Sequence, residues 1–175
     1  MKTNIKLLAA VLLFAGFVSG ANAQTTAYGT TTAVLVTPLS IALTTNMHFG
    51  LVASSGTAGT VVLGFVNDRI ATGGVTLPAA ATPPAPTAVF VVTGEGTSGF
   101  SIAVPTTAVI LTGSVSGTLS VGTFVCEEGA STTLTAGSAT LHVGATLTVP
   151  ANTAAGTYVH NALDATGLFV TVQYN

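Results

Sequence analysis

Charged side chains are scarce in this sequence: they make up 5% of its 175 residues, whereas an ordinary soluble domain carries about 25%. Tryptophan is absent and cysteine occurs once. A lone cysteine cannot close an intramolecular disulfide, so the fold has to be held together by its core even in an oxidising compartment. We interpret Cys126 as an inert, half-buried strand residue, with a reactive or partner-bonded thiol as the alternative.

Basic side chains are fewer still. Lys2 and Lys6 lie among the first residues, which leaves Arg69 as the only basic side chain against five carboxylates in the rest of the sequence. We therefore predict no nucleic-acid partner, because phosphate binding needs a clustered positive field. With so few charges, like-charge repulsion does little to prevent exposed strand edges from pairing with another molecule. The composition therefore favours self-association through those edges.

The N-terminus has the order of a secretory signal peptide over residues 1–23: a charged start, an apolar run over 7–18 and a small-residue cleavage box at 21–23. The apolar run of about twelve residues is too short to cross a bilayer, which takes roughly twenty. We predict cleavage before Gln24, no transmembrane anchor afterwards, and export to the periplasm, cell surface or medium. Residues 24–175 have the length of a single domain.

The mature sequence consists of short β-branched and aromatic runs broken by Gly, Pro, Asn and Ser, without a helical apolar period. Its longest alternation puts the apolar residues of 141–149 on one face of a strand. Such faces need a second sheet to cover them, so we predict an all-β, immunoglobulin-like antiparallel β-sandwich, with a barrel as the competitor. The roughly ten predicted strands are 32–36, 39–43, 47–52, 60–65, 74–77, 88–93, 100–104, 119–125, 141–149, 157–160 and 168–174.

Three further segments have a local interpretation. The proline-rich stretch 78–86 cannot donate a continuous ladder, so we predict a surface loop there. Residues 94–96, Gly-Glu-Gly, are predicted to form a hairpin turn. The start of the mature chain, 24–36, is either a donor strand for another molecule, through Ala27, Val34 and Val36, or the first strand of a complete domain.

No constellation of catalytic residues emerges from the sequence. The candidate bases are His48, His142 and His160, but no G-x-S-x-G nucleophile elbow occurs, and His142 lies on the polar face of the predicted strand 141–149. Glu127 and Glu128 would point to opposite faces of an extended chain, and the carboxylates lie in turn-like contexts. We predict no catalytic residues and no enzyme activity.

Metal ligands have no local signature either, since no His-x-His or Cys-x-x-Cys pair is present. The pairs 67–68 and 127–128 offer hard oxygens to calcium, but without the Asp-rich loop that calcium usually needs. We predict no metal site and no cofactor.

Four stretches, taken in order, resemble a family of secreted proteins of Gram-negative bacteria catalogued only as a domain of unknown function. They are MHFG at 47–50, ATGGVTL at 71–77, LHVGATLTV at 141–149 and VTVQYN at 170–175. The resemblance covers essentially the whole mature chain. More distantly, that family is similar to the fimbrial subunits and spore-coat-U-like proteins of chaperone and usher systems, which are immunoglobulin-like sandwiches that polymerise by exchanging a strand.

The likeness to fimbrial subunits rests mainly on the last strand, where Leu168, Val170, Val172 and the penultimate Tyr174 alternate with the intervening residues. An alternating strand at a chain end can pair along an edge while its side chains enter a groove on a partner. The resemblance therefore implies an assembly strand, with a periplasmic chaperone or usher as a partner. Two features depart from the pilin pattern: the expected glycine is displaced, as Gly156, and no disulfide pair exists. The alternative is that 168–174 is the last core strand of a monomeric protein.

We therefore expect a non-enzymatic structural or assembly subunit of a bacterial surface fibre or coat. The alternative is a monomeric sandwich that binds carbohydrate or another surface. Against it, tryptophan is absent, and only Tyr28, Tyr158 and Tyr174 carry the amphipathic rings that sugar sites prefer.

Overall fold

The computed structural model describes residues 24–79, 84–160 and 167–175, so the predicted signal peptide lies outside the described residues, as does the middle of the proline-rich loop. The chain divides into two units, 1–35 and Val36–Asn175. In the first, residues 24–35 are exposed and carry no strand. The second contains β1 (Ser40–Thr45), β2 (Ala53–Leu63), β3 (Arg69–Thr76), β4 (Ala88–Thr93), β5 (Gly99–Ala103), β6 (Val109–Gly113), β7 (Thr118–Cys126), β8 (Ser131–Thr133), β9 (Ser138–Val149), β10 (Tyr158–Val159) and β11 (Thr171–Tyr174).

The large sheet is organised around β9, the longest strand. The first half of β9 pairs with β4 and its second half with β2, while β7 pairs along its other edge; all these pairings are antiparallel. From there the sheet continues through β4 to β1, through β2 to β3, and through β7 and β6 to β10. The apolar alternation predicted for 141–149 is confirmed, because Leu141, Val143, Ala145, Leu147 and Val149 are all buried.

A β-bulge changes the inward-facing phase of β7. Leu119 and Val121 are buried at odd positions, whereas Phe124 and Cys126 are buried at even positions. The register shifts between Gly122 and Val125, and Thr123 lies in the bulge with φ of 50°. The extra residue therefore keeps the whole strand facing the core although its sequence alternation breaks.

The small sheet consists of β5 between β11 and β8, again antiparallel. Its central strand turns Phe100 and Ile102 towards the core, where they join the apolar face of β9. Two antiparallel layers with apolar residues between them confirm the predicted all-β sandwich. The described residues contain no helix, and so none that could span a membrane.

Three local predictions are wrong. Residues 32–36 and 47–52 form no strand. Residues 94–96 are not a hairpin turn, because β4 lies in the large sheet and β5 in the small one, so this turn carries the chain between layers. Alternation predicts which face of a strand is apolar, but it contains no information on which neighbour the backbone bonds to.

Candidate functional site

An apolar cavity of about 1050 Å³ lies against the inner face of the large sheet. Its floor is formed by apolar side chains of β6, β7 and β9, namely Val109, Leu111, Leu119, Val121, Phe124, Leu147 and Val149. A volume of this size lies at the upper end of the range for small-ligand pockets, about 300–1,000 Å³. The sandwich therefore leaves substantial apolar space on this side of its core.

The cover of the cavity is the chain segment 46–54, together with 153–160 and 167–169. Residues 46–52 belong to no β-ladder, although Met47 and Phe49 pack partly against the core. The Nη1 atom of Arg69 donates to two carbonyl oxygens, that of Phe49 at 2.7 Å and that of Leu51 at 3.0 Å. The only basic side chain of the predicted mature protein thus serves to hold this segment.

Two strand edges flank the cavity. Within the described chain, β1 pairs only with β4, and β10 pairs only with β6. Leu43 of β1 and both residues of β10, Tyr158 and Val159, line the cavity. A further strand could add to either edge through main-chain hydrogen bonds, with its alternate side chains entering the apolar space.

The terminal strand is fixed at its far end by Tyr174. Its hydroxyl donates to the carbonyl oxygen of Thr37 at 2.6 Å and accepts from the amide nitrogen of Glu95 at 2.7 Å. Glu95 Oε2 in turn accepts from the Thr37 amide at 3.0 Å and hydroxyl at 2.7 Å. These hydrogen bonds from Thr37 lower the pKa of Glu95. A Cβ at Gly94 would collide with the Tyr174 hydroxyl, so glycine makes room for this contact.

The four residues predicted to form an assembly strand lie on one side of the terminal segment. Leu168 lines the cavity, and Leu168, Val170, Val172 and Tyr174 are all partly buried against the core. The intervening residues 169, 171 and 173 are exposed, and only Thr171–Tyr174 pairs with another strand. The predicted alternation is therefore present; their role in assembly stays a prediction.

The segment 24–36, which we call the N-terminal arm, carries exposed apolar side chains. Tyr28 is 94% exposed, Val34 87% and Leu35 90%, and Val36 is also exposed. Because exposing large apolar side chains in water is unfavourable, such a segment is typical of a region that binds a partner.

A second group of polar side chains gathers at the turn after β7. In an extended chain, Glu127 and Glu128 would point to opposite faces. In the structure both carboxylates instead approach Nδ1 of His142, at 3.2 Å for Glu127 and 3.1 Å for Glu128. Cys126 donates its thiol proton to Glu128 Oε2 at 3.1 Å. No sequence motif indicates this grouping, because it depends on the pairing of β7 with β9.

The electrostatics of this turn disfavour the thiolate form of Cys126. Burial raises the pKa of Cys126 to about 12, and its hydrogen bond to Glu128 adds to the rise. Desolvation by itself would raise the pKa of Glu128, but hydrogen bonds from the Cys126 thiol and the His142 amide outweigh it and lower that pKa. Cys126 is a buried strand residue, as predicted, and its raised pKa disfavours the alternative of a low-pKa thiol; its inertness stays a prediction.

Fold and site together define an antiparallel β-sandwich with an apolar cavity beside two strand edges. The chain belongs to the family described as Domain of unknown function (DUF4402), which it matches over residues 39–174. No curated protein and no solved structure matches the chain.

Proposed function

We propose that this protein is a secreted, non-enzymatic structural subunit of a bacterial surface fibre or coat, and that it assembles by taking a strand from a neighbouring copy into its cavity. The observation that carries the proposal is the apolar cavity of about 1050 Å³ bordered by the edges of β1 and β10. An edge supplies main-chain hydrogen bonds and a cavity receives side chains, which are the two requirements for strand addition.

The N-terminal arm of a second copy is the occupant that fits best. Val34 and Val36 are separated by one residue, so in an extended arm both point to the same face. Both are exposed, and the arm has no strand pairing in its own chain. Inserting it into a neighbour would bury apolar area at about 25 cal/mol per Å² and satisfy backbone groups of the edge that it joins.

Charge complementarity does not direct this association, because the arm and the cavity floor carry no charged side chains. The arm contains no Lys, Arg, Asp or Glu over 24–36, and the cavity floor is wholly aliphatic or aromatic. We therefore expect the assembly to withstand high salt, unlike an interface held by surface ion pairs.

Size analysis of the mature protein, 24–175, tests the proposal. We expect light scattering after gel filtration to show oligomers or ladders for the wild type. The double variant Val34→Asp/Val36→Asp should be monomeric, since it would place charges in an apolar cavity. The matched control is Thr31→Asp/Ala33→Asp, which adds the same charge to the same arm on the opposite face of an extended strand and should still assemble.

The outcome that contradicts the proposal is a wild-type protein that stays monomeric at high concentration, or an assembly that the Val34/Val36 variant leaves intact. Deleting residues 168–175 is a coarser test of the terminal strand. We expect it to abolish export or assembly, and normal accumulation of a truncated soluble monomer would count against the assembly role of Leu168, Val170, Val172 and Tyr174.

The alternative function, carbohydrate binding, has less support than assembly, because two of the three tyrosine hydroxyls are already engaged within the chain. The Tyr158 hydroxyl donates to the carbonyl of Ala154 at 2.7 Å, and that of Tyr174 is bound by Thr37 and Glu95. Tyr28 alone among the three keeps a fully exposed ring. A glycan-array signal lost in Tyr28→Ala, from a protein that remains monomeric, would favour this alternative.

A further inference from the structure

The turn between β7 and β8 brings two carboxylates and an imidazole together by backbone pairing. Cys126, the last residue of β7, is paired with Val143 of β9. Both face the core, so the alternation along β9 turns His142 outward. The amide of Glu127 donates to the His142 carbonyl at 2.9 Å, which fixes the start of the turn beside the imidazole.

Glu128 is held over the same ring by two donors. Its Oε2 accepts from the Cys126 thiol and from the His142 amide, each at 3.1 Å. Its Oε1 remains directed at His142 Nδ1, 3.1 Å away. A carboxylate anchored through one oxygen and presenting the other is the usual arrangement of a metal ligand supported by outer-shell hydrogen bonds.

The Nδ1 atom of His142 has more acceptors than protons. It lies 3.2 Å from Glu127 Oε2 and 3.1 Å from Glu128 Oε1, but it can carry at most one hydrogen. Neither carboxylate has a Lys or Arg partner: Arg69, the only such side chain in the described residues, donates to Phe49 and Leu51 instead. A cation among the three atoms would resolve both conflicts.

From this geometry we propose that Glu127, Glu128 and His142 bind a zinc ion. Zinc bonds of about 2.0–2.1 Å to N and O place tetrahedral ligand atoms about 3.3 Å apart. The two measured separations, 3.2 and 3.1 Å, are close to that spacing, and all three ligand atoms lie within 4.8 Å of one another. One imidazole and two carboxylates suit zinc, whereas calcium takes six to eight oxygens.

Three protein ligands leave a fourth position for water. The side chains are accessible enough for the ion to enter, at 34% exposure for His142, 47% for Glu127 and 20% for Glu128. Cys126 acts as a positioning residue for Glu128 and is not a ligand. This site is independent of the apolar cavity and of the proposed assembly.

The test is calorimetric titration of Zn²⁺ into tag-free mature protein that has been freed of metal by a chelator. We expect one ion per chain. Glu127→Gln should weaken binding by more than about tenfold, since losing an outer-shell partner alone costs 10–100-fold. Asp68→Asn removes a carboxylate elsewhere and should leave the affinity unchanged.

A Co²⁺ spectrum adds a readout of geometry. We expect visible bands of a tetrahedral site without a thiolate charge-transfer band, and the bands should be lost in His142→Ala. Glu127 is an exposed turn residue, so Glu127→Gln keeps the test decisive if His142→Ala fails to fold. Absence of stoichiometric Zn²⁺ binding, or equal affinity of wild type and Glu127→Gln, would overturn the proposal.

Discussion

Replacing Tyr174 by phenylalanine isolates the contribution of the terminal hydroxyl. The substitution keeps the ring, which packs partly against the core, and removes only the atom that bonds Thr37 and Glu95. Because these bonds join the end of β11 to the residues before β1 and after β4, their loss loosens the terminal strand from the rest of the sandwich.

The structure sets the size of the effect. Two hydrogen bonds are lost, at 2.6 and 2.7 Å, and each contributes about 0.5–1.5 kcal/mol net. Thr37 is exposed, so water can replace one partner. We expect a destabilisation of about 1–2 kcal/mol, which corresponds to a urea midpoint lower by about 0.5–1 M for a domain of this size.

Urea unfolding of wild type and variant at one fixed protein concentration measures this difference, since association contributes to apparent stability. Tyr158→Phe is the matched control: its hydroxyl makes one exposed bond, to Ala154, and should cost no more than about 0.5 kcal/mol. The reasoning is refuted if Tyr174→Phe unfolds at the wild-type midpoint, or if Tyr158→Phe is destabilised as much.

Three further predictions concern single side chains. Thr87→Val should cost about 1–3 kcal/mol in urea unfolding, because it strips the buried Val143 carbonyl of the hydroxyl that donates to it at 2.6 Å; a neutral effect would mean that the carbonyl finds another donor. Cys126, with a pKa raised to about 12, should react with a thiol reagent at pH 8 far more slowly in the native protein than in urea, and equal rates would contradict its burial. Glu95 has a lowered pKa, so its contribution to stability is present above its ordinary value of 4.5 and is lost as the pH falls through the lower native value; Glu95→Gln should flatten that part of the stability–pH curve, and an unchanged curve would show that its bonds to Thr37 do not form in solution.

The fold was predictable where apolar alternation is strict. The pattern over 141–149 predicted the apolar inner face of β9, because successive side chains of a regular strand point to opposite faces. At β7 the period breaks at Gly122, and only the register with β9 shows that a bulge restores the inward face.

The sites were predictable only in part. The alternation of Leu168, Val170, Val172 and Tyr174 is visible in the sequence, but the partners of the Tyr174 hydroxyl are 79 and 137 residues away. The grouping of Glu127 and Glu128 with His142 likewise depends on strand pairing, as does the cavity. These features depend on which strands pair and in which register, and a single sequence does not contain that information. The alternating faces depend on local sequence and could therefore be predicted.

Site-specific photo-crosslinking tests the strand-exchange claim most directly. A benzoylphenylalanine placed at Phe169, which lines the cavity and is 48% exposed, would be activated in a mixture of isotope-labelled and unlabelled mature protein. We predict adducts between labelled and unlabelled chains, with the cross-linked peptide falling within 24–36. Adducts confined to one chain, or intermolecular adducts only outside that arm, would contradict the account.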